Sequence, residues 1–164
     1  YNINKKRALL KENVNRLIIA IANGKKRCFL GIELEKSGFE LMNAVHPNSY
    51  ISPTATLGRG NHIKSGAIIE TNTIIGNNNI IDNGVIIAHD NNIGNGCHLA
   101  PGCVLGSSIE INDYSILGIG SSISTKVKIG KGCIISLNTS VINDVVDNSL
   151  VEGVPGRIIG KTNI

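Results

Sequence analysis

The sequence has no Trp, one Met, two Phe and three Tyr. A core with so few rings has to be assembled from aliphatic side chains. No apolar run approaches the roughly 20 residues of a membrane-spanning helix, and no secretory signal is expected. A cytoplasmic protein without membrane contacts is therefore expected. The chain opens with Tyr1 rather than Met, so an upstream segment is expected. The four Cys form no C-x-x-C pair, which points to free thiols in a reducing compartment. Charged residues are only 17% against 41% hydrophobic, which excludes intrinsic disorder. Residues 1–50 carry nine Lys/Arg and four Asp/Glu, whereas residues 51–146 carry five and six. A nucleic-acid reader needs a basic stripe with stacking aromatics, and the larger part of the chain has neither.

What the sequence does have is glycine, 19 of 164 residues, and a repeat. From Ile51 an aliphatic residue recurs at every sixth position through Leu57, Ile63, Ile69 and on to Ile135 and Val141. Four residues after each comes a second, mostly small position, as at Ala67, Cys97, Cys103, Ser115, Ser121 and Cys133. Gly, Asn, Asp and Ser fill the intervals, and these tolerate turns and left-handed backbone. An α-helix would need a period of 3.6 and a simple strand a period of two. A period of six fits a short strand plus a turn, with three units per 18-residue coil. The pattern resembles the hexapeptide repeat of the left-handed parallel β-helix. Its core is then a stack of Ile and Leu, with the Cys at inward positions and not catalytic.

Residues just before each aliphatic position face outward, because strand neighbours alternate. One outward column is His62, Ile80, His98, Ile116 and Ile134. A second is Ile68, Ile86, Val104, Ser122 and Ser140, and the third is Thr56, Ile74, Asn92, Glu110 and Lys128. Two apolar outer faces on one prism predict an interface, and a three-fold ring would bury both: a homotrimer is expected. Upstream, residues 16–22 read as a strand, 24–37 as a helix closed by Gly38, and 39–45 as another strand. The expected organisation is a partial α/β, truncated Rossmann-like segment over residues 1–48, the β-helix over 49–146, and a closing segment over 147–164. No Gly-rich phosphate loop is present.

Four His are available for chemistry. His46 sits beside Pro47 in the linker, where a structural role is expected. His62 and His98 share an outward column two coils apart. His89 lies in a turn and is followed by Asp90, a base with an orienting carboxylate next to it.

The stretch from Gly84 through His89-Asp90 to His98-Leu-Ala-Pro101-Gly102 resembles the sialic acid O-acetyltransferase and nucleotide-amino-sugar N-acetyltransferase family (NeuD/PglD-like). So do His46-Pro47 before the β-helix and Val154-Pro155-Gly156-Arg157 after it. The resemblance covers nearly the whole chain and implies an acetyltransferase using acetyl-CoA, without a metal, on a sugar amine or hydroxyl. It implies that His89 takes the acceptor proton and that Asp90 fixes its tautomer. It implies a main-chain N–H near Ser107 for the oxyanion, and His98 near the thioester. Gly118, Gly120 and Ser121 would line the pantetheine arm, with Lys131 and Arg157 at the coenzyme phosphates. The chain departs from the family in three places. The glycine-rich nucleotide loop would lie upstream of Tyr1, an Asn seven residues before the base is Asp82, and a Gly one coil above it is Ser107. Weak sugar-nucleotide binding by these residues is therefore expected. Because His89 and His98 lie on different sides of the prism, the two should meet only across subunits.

Two alternatives stand beside this reading. A gamma-carbonic-anhydrase-like zinc hydratase uses the same β-helix, and His62, His98 and Cys103 echo its ligand spacing. A non-catalytic β-helix scaffold would leave the His-Asp turn without a purpose.

Overall fold

A computed structural model describes residue 12 and residues 14–163. Strand β1 (Arg16–Leu17) leads into helix α1 (Gly24–Lys36), then β2 (Glu40–Leu41) and β3 (Ala44–Val45). Sixteen two-residue strands follow, from β4 (Tyr50–Ile51) to β19 (Ser140–Val141), and β20 (Ser149–Glu152) and β21 (Arg157–Lys161) close the chain.

The strands stack into three parallel ladders, giving a left-handed parallel β-helix of about six turns. The first face carries β4 and the strands of Ile69, Ile87, Leu105, Ile123 and Val141. The second carries those of Leu57, Ile75, Ile93, Ile111 and Ile129, and the third those of Ile63, Ile81, Leu99, Leu117 and Ile135. Register is set by the 18-residue coil: Ile69 pairs with Ile87, and Ile87 with Leu105. The inward aliphatics from Ile63 to Val141 are all buried. Each contributes roughly 1.5–3 kcal/mol by leaving water, set against the ordering of its backbone.

Polar ladders run through the corners. Asn79 Oδ1 accepts from the Cys97 N–H at 2.7 Å, while its Nδ2 donates to the Gly94 carbonyl at 2.9 Å. Asn61 does the same one coil below, at 2.8 and 2.9 Å. Each buried amide thus satisfies backbone groups that the short strands leave unpaired. All four thiols are free and buried. Burial pushes that of Cys97 up to about 12, in keeping with core packing.

The N-terminal region departs from the expected outline in two ways. The strand expected over 39–45 is two strands: β2 pairs with β1, whereas β3 pairs with His62–Ile63 as the first rung of the third face. The strand expected over 16–22 is regular only at Arg16–Leu17. Its remainder crosses the third face, where the Ile19 carbonyl meets His62 Nε2 at 2.9 Å. The fully buried Arg27 fixes this crossing. Its guanidinium donates to the Ile21 and Ala22 carbonyls at 2.6 and 2.8 Å and to the Asn78 carbonyl of the β-helix at 2.7 Å. The third face is therefore partly roofed by its own chain. Ile80, His98, Ile116 and Ile134 are only half-exposed, whereas Ile86 and Val104 on the first face stand bare.

Candidate active site

The corner between the first and second faces carries one column of side chains at the coil period: Thr71, His89, Ser107 and Thr125. Asp90 sits beside His89 with φ 59°, a left-handed conformation that Asp tolerates. That turn brings its carboxylate back to the preceding ring, where Oδ2 lies 2.7 Å from His89 Nδ1. The other carboxylate oxygen accepts from Asn72 Nδ2 at 3.1 Å, one coil below. Both bonds hold the Asp90 carboxyl below the usual carboxylate range, that from His89 first. An ionised carboxylate only accepts, so Nδ1 carries the proton, and in the neutral tautomer Nε2 keeps its lone pair. Nε2 in turn lies 2.9 Å from Ser107 Oγ, one coil above. The side chains of His89 and Asp90 are 56% and 48% exposed, so solutes reach them freely.

The remaining candidates lie elsewhere on the prism. His98 stands on the third face with Nε2 3.4 Å from Asp82 Oδ2. Both line a cavity of about 250 Å³ with Ala20, Ile21, Ala22, His62, Lys64 and Ile80. Gly118 and Gly120 form the corner between the third and first faces, and coil stacking already explains both. A Cβ on Gly118 would lie 2.6 Å from the Leu137 backbone nitrogen, and Gly120 has φ +66°. Ser121 follows, but its hydroxyl is fully buried and meets Cys103 Sγ at 3.4 Å. Its side chain therefore belongs to the core. Lys131 is on the third corner, its ammonium 5.3 Å from the Tyr114 ring centre. Arg157 is exposed on β21, bonded only to its neighbour's carbonyl at 3.3 Å among the described residues.

Within one chain the candidates thus form two groups, His89 with Asp90 and Ser107, and His98 with Asp82. No hydrogen bond or ion pair among the described residues joins them. The zinc alternative meets a geometric obstacle. Cys103 Sγ points into the core toward the Gly118 carbonyl at 3.1 Å, while His62 and His98 face outward with Ile80 in register between them. Among the described residues no three His, Cys, Asp or Glu side chains converge as a ligand set.

One partner of the site escaped the sequence reading: Asn72, one coil below Asp90. Ser107 was expected one coil above the base with a role for its main-chain N–H alone, and its hydroxyl also meets His89 Nε2. Applying the 18-residue coil period to Asp90 would have found Asn72. Asp82, seen only as a substitution for Asn, is the partner of His98.

A comparison with curated proteins finds no match. Residues 40–119 match the family described as GMPPB C-terminal domain. Among solved structures the chain is similar to PerB from Caulobacter crescentus in complex with CoA and GDP-perosamine. The identity is 32% and the TM-score 0.94, covering 97% of this chain and 77% of that one. A histidine variant of perosamine N-acetyltransferase from the same organism, with the same ligands, gives 31% and 0.95 over 98% and 76%. WeeI from Acinetobacter baumannii AYE gives 30% and 0.84 over 88% and 70%. With this identity spread over nearly its whole length, and the His-Asp turn on a β-helix corner, the chain belongs to the NeuD/PglD-like family of hexapeptide-repeat sugar acetyltransferases and is an acetyl-CoA-dependent acyltransferase.

Proposed function

We propose that the chain acetylates the amine of a nucleotide-linked amino sugar, with His89 as general base and transfer directly from the thioester. The observation that carries this is the 2.7 Å bond between His89 Nδ1 and Asp90, which leaves Nε2 as the lone pair at an exposed corner. PerB, a relative at 32% identity, was crystallised with CoA and GDP-perosamine, which supports an amino sugar on a nucleoside diphosphate over a free sugar hydroxyl.

Bound acetyl-CoA supplies the acetyl group as an activated thioester. The residues present suit such a ligand. Arg157 and Lys131 are exposed cations for its phosphates, and the Gly118–Gly120 corner offers bare backbone to its pantetheine arm. His89 Nε2 accepts the acceptor's proton as the amine attacks. Asp90 holds the ring in that tautomer and stabilises the imidazolium. The Ser107 N–H has only a 3.4 Å contact with Thr125 Oγ1, so it is available to the developing oxyanion.

The site is completed across a trimer interface. Ile86 and Val104 leave the first face apolar and bare, 39% and 44% exposed. Packing it on the third face of a neighbour brings that neighbour's His98 toward the His89 corner.

The test is thiol release from acetyl-CoA over a panel of nucleotide-linked amino sugars and free sugars, with product mass. Acetylation of an amine on a nucleotide-linked sugar is expected. Turnover confined to free sugar hydroxyls would move the assignment to the O-acetylating branch, and no acceptor-dependent release would overturn it.

A further inference from the structure

Asp90, His89 and Ser107 stand in the order and spacing of an acid–base–nucleophile array. Oδ2 to Nδ1 is 2.7 Å and Nε2 to Oγ is 2.9 Å, both within hydrogen-bond reach for such a triad. The bond directions follow from the chemistry. Asp90 only accepts, so Nδ1–H donates to it, and in the neutral ring Nε2 accepts the Ser107 hydroxyl proton. That is the polarity that turns a serine hydroxyl into a nucleophile. The direct-transfer reading gives the Ser107 hydroxyl no task; on that path it competes with the acceptor for Nε2.

The fold holds the array rigidly. Coils stack about 4.8 Å apart, so an imidazole on one coil bridges to a hydroxyl on the next. The Ser108 N–H donates to the His89 carbonyl at 3.1 Å and pins the two coils together at this point. Asn72 anchors the carboxylate from below at 3.1 Å. Ser107 is half-exposed and His89 exposed, so an acyl donor can approach from solvent. The same Ser107 N–H that is free for an oxyanion belongs to the nucleophile itself, an arrangement serine hydrolases use.

The geometry points to a second activity: Ser107 attacks activated acetyl esters and thioesters, forms an acetyl-serine ester, and releases acetate to water. In the first half, the Oγ–carbonyl bond forms as His89 Nε2 takes the hydroxyl proton. The carbonyl–sulfur or carbonyl–oxygen bond then breaks, and the imidazolium returns that proton to the leaving thiolate or alkoxide. In the second half, water attacks the ester carbonyl and gives a proton to Nε2. Ser107 Oγ leaves and regains a proton from the ring, and acetic acid departs as acetate. No other reactant is needed.

This activity requires neither coenzyme A nor a sugar, so it is tested with p-nitrophenyl acetate alone. Acid-quenched protein is expected to carry one acetyl group by intact mass, and peptide mapping should place it on Ser107. Ser107→Ala should carry none and lose the hydrolysis above background. His89→Ala should slow acylation by roughly 10²–10⁴. Asp90→Asn, which leaves the nucleophile and its coil in place, should slow it less. All three variants should keep the wild-type β-sheet circular dichroism. Acetyl found on a lysine instead, or Ser107→Ala hydrolysing at the wild-type rate, would overturn the proposal. Failure here leaves transfer from acetyl-CoA to amino sugars intact, and failure of that transfer leaves the acetyl-serine result standing.

Discussion

The graded response of the His89 corner to substitution is the sharpest expectation. His89→Ala removes the proposed base. General base catalysis contributes roughly 10²–10⁴ in rate, or about 3–5 kcal/mol at about 1.4 kcal/mol per decade. Turnover should fall by that factor. Asp90→Asn keeps the size and the left-handed turn but loses the charge that opposes the imidazolium, so its loss should be smaller. Asn72→Ala removes one 3.1 Å bond to a carboxylate that water can reach. A solvent-exposed contact of this kind contributes little, so its loss should stay within about fivefold. Initial rates at saturating acetyl-CoA measure the series, and calorimetry of coenzyme binding separates chemistry from affinity. Coenzyme affinity should stay near wild type throughout. A His89→Ala enzyme with near-normal turnover would refute the assignment of the base, and an Asn72→Ala loss as deep as that of Asp90→Asn would refute the ranking.

Four further outcomes follow from the packing. Gly118→Ala should lower the thermal midpoint more than Gly120→Ala. The new methyl on Gly118 meets immovable backbone 2.6 Å away, whereas on Gly120 it meets the movable end of Asn138 and adds the smaller strain of an Ala at φ +66°; differential scanning calorimetry decides, and the reverse order would contradict the coil-stacking account. Burial raises all four thiols above their ordinary range. A folded-state pKa above the unfolded one stabilises below the unfolded value and is lost as pH rises, so stability should decline above the ordinary thiol range. At pH near 8 a disulfide reagent should titrate the thiols only after denaturation, and rapid reaction of the folded chain would contradict their burial. Finally, Ile86→Glu with Val104→Glu alters only exposed positions of the first face. It should give monomers in light scattering, and an unchanged trimer would exclude that face from the interface.

The β-helix was legible because its core obeys one rule at every coil. An inward aliphatic every six residues, with small residues between, admits no other regular backbone. The roof over the third face was not legible. Leu17 to Ala22 is an apolar run that reads as a strand whatever it packs against, and nothing local to Arg27 signals that five carbonyls wait for its guanidinium. The same blindness made the third face look as bare as the first. At the site, His89 and Asp90 were visible because they are adjacent in sequence. Ser107, 18 residues on from His89, was placed one coil above it by the coil period, whereas Asn72, 18 residues before Asp90, was not looked for. Ser121 carried two readings at once: the repeat marked it as a small inward position and the family resemblance put it beside the pantetheine arm, and its hydroxyl does turn inward.

The division of candidates between corners leads to a test of how the site is assembled. His89 is at the corner of the first and second faces, and His98 is on the third face. Their hydrogen-bond partners are separate: Asp90 and Ser107 for one, Asp82 for the other. A rigid stack of coils has no hinge that could bring them together. If both histidines serve one reaction, they must come from two chains. Packing the first face of one chain against the third face of the next provides that meeting, with the coenzyme in the cleft between them. In such a ring each site takes His89 from one subunit and His98 from its neighbour. His89→Ala and His98→Ala homotrimers should each be severely impaired. Co-expressed under different tags and purified through both, mixed trimers must contain a cleft flanked by the intact histidine of each parent. One such cleft arises in every mixed ring whatever its composition, so about one third of the wild-type turnover should return. Mixed trimers that form but regain no activity, when both parents are impaired, would mean that the two residues act within one chain and that the first face meets something other than a neighbour's third.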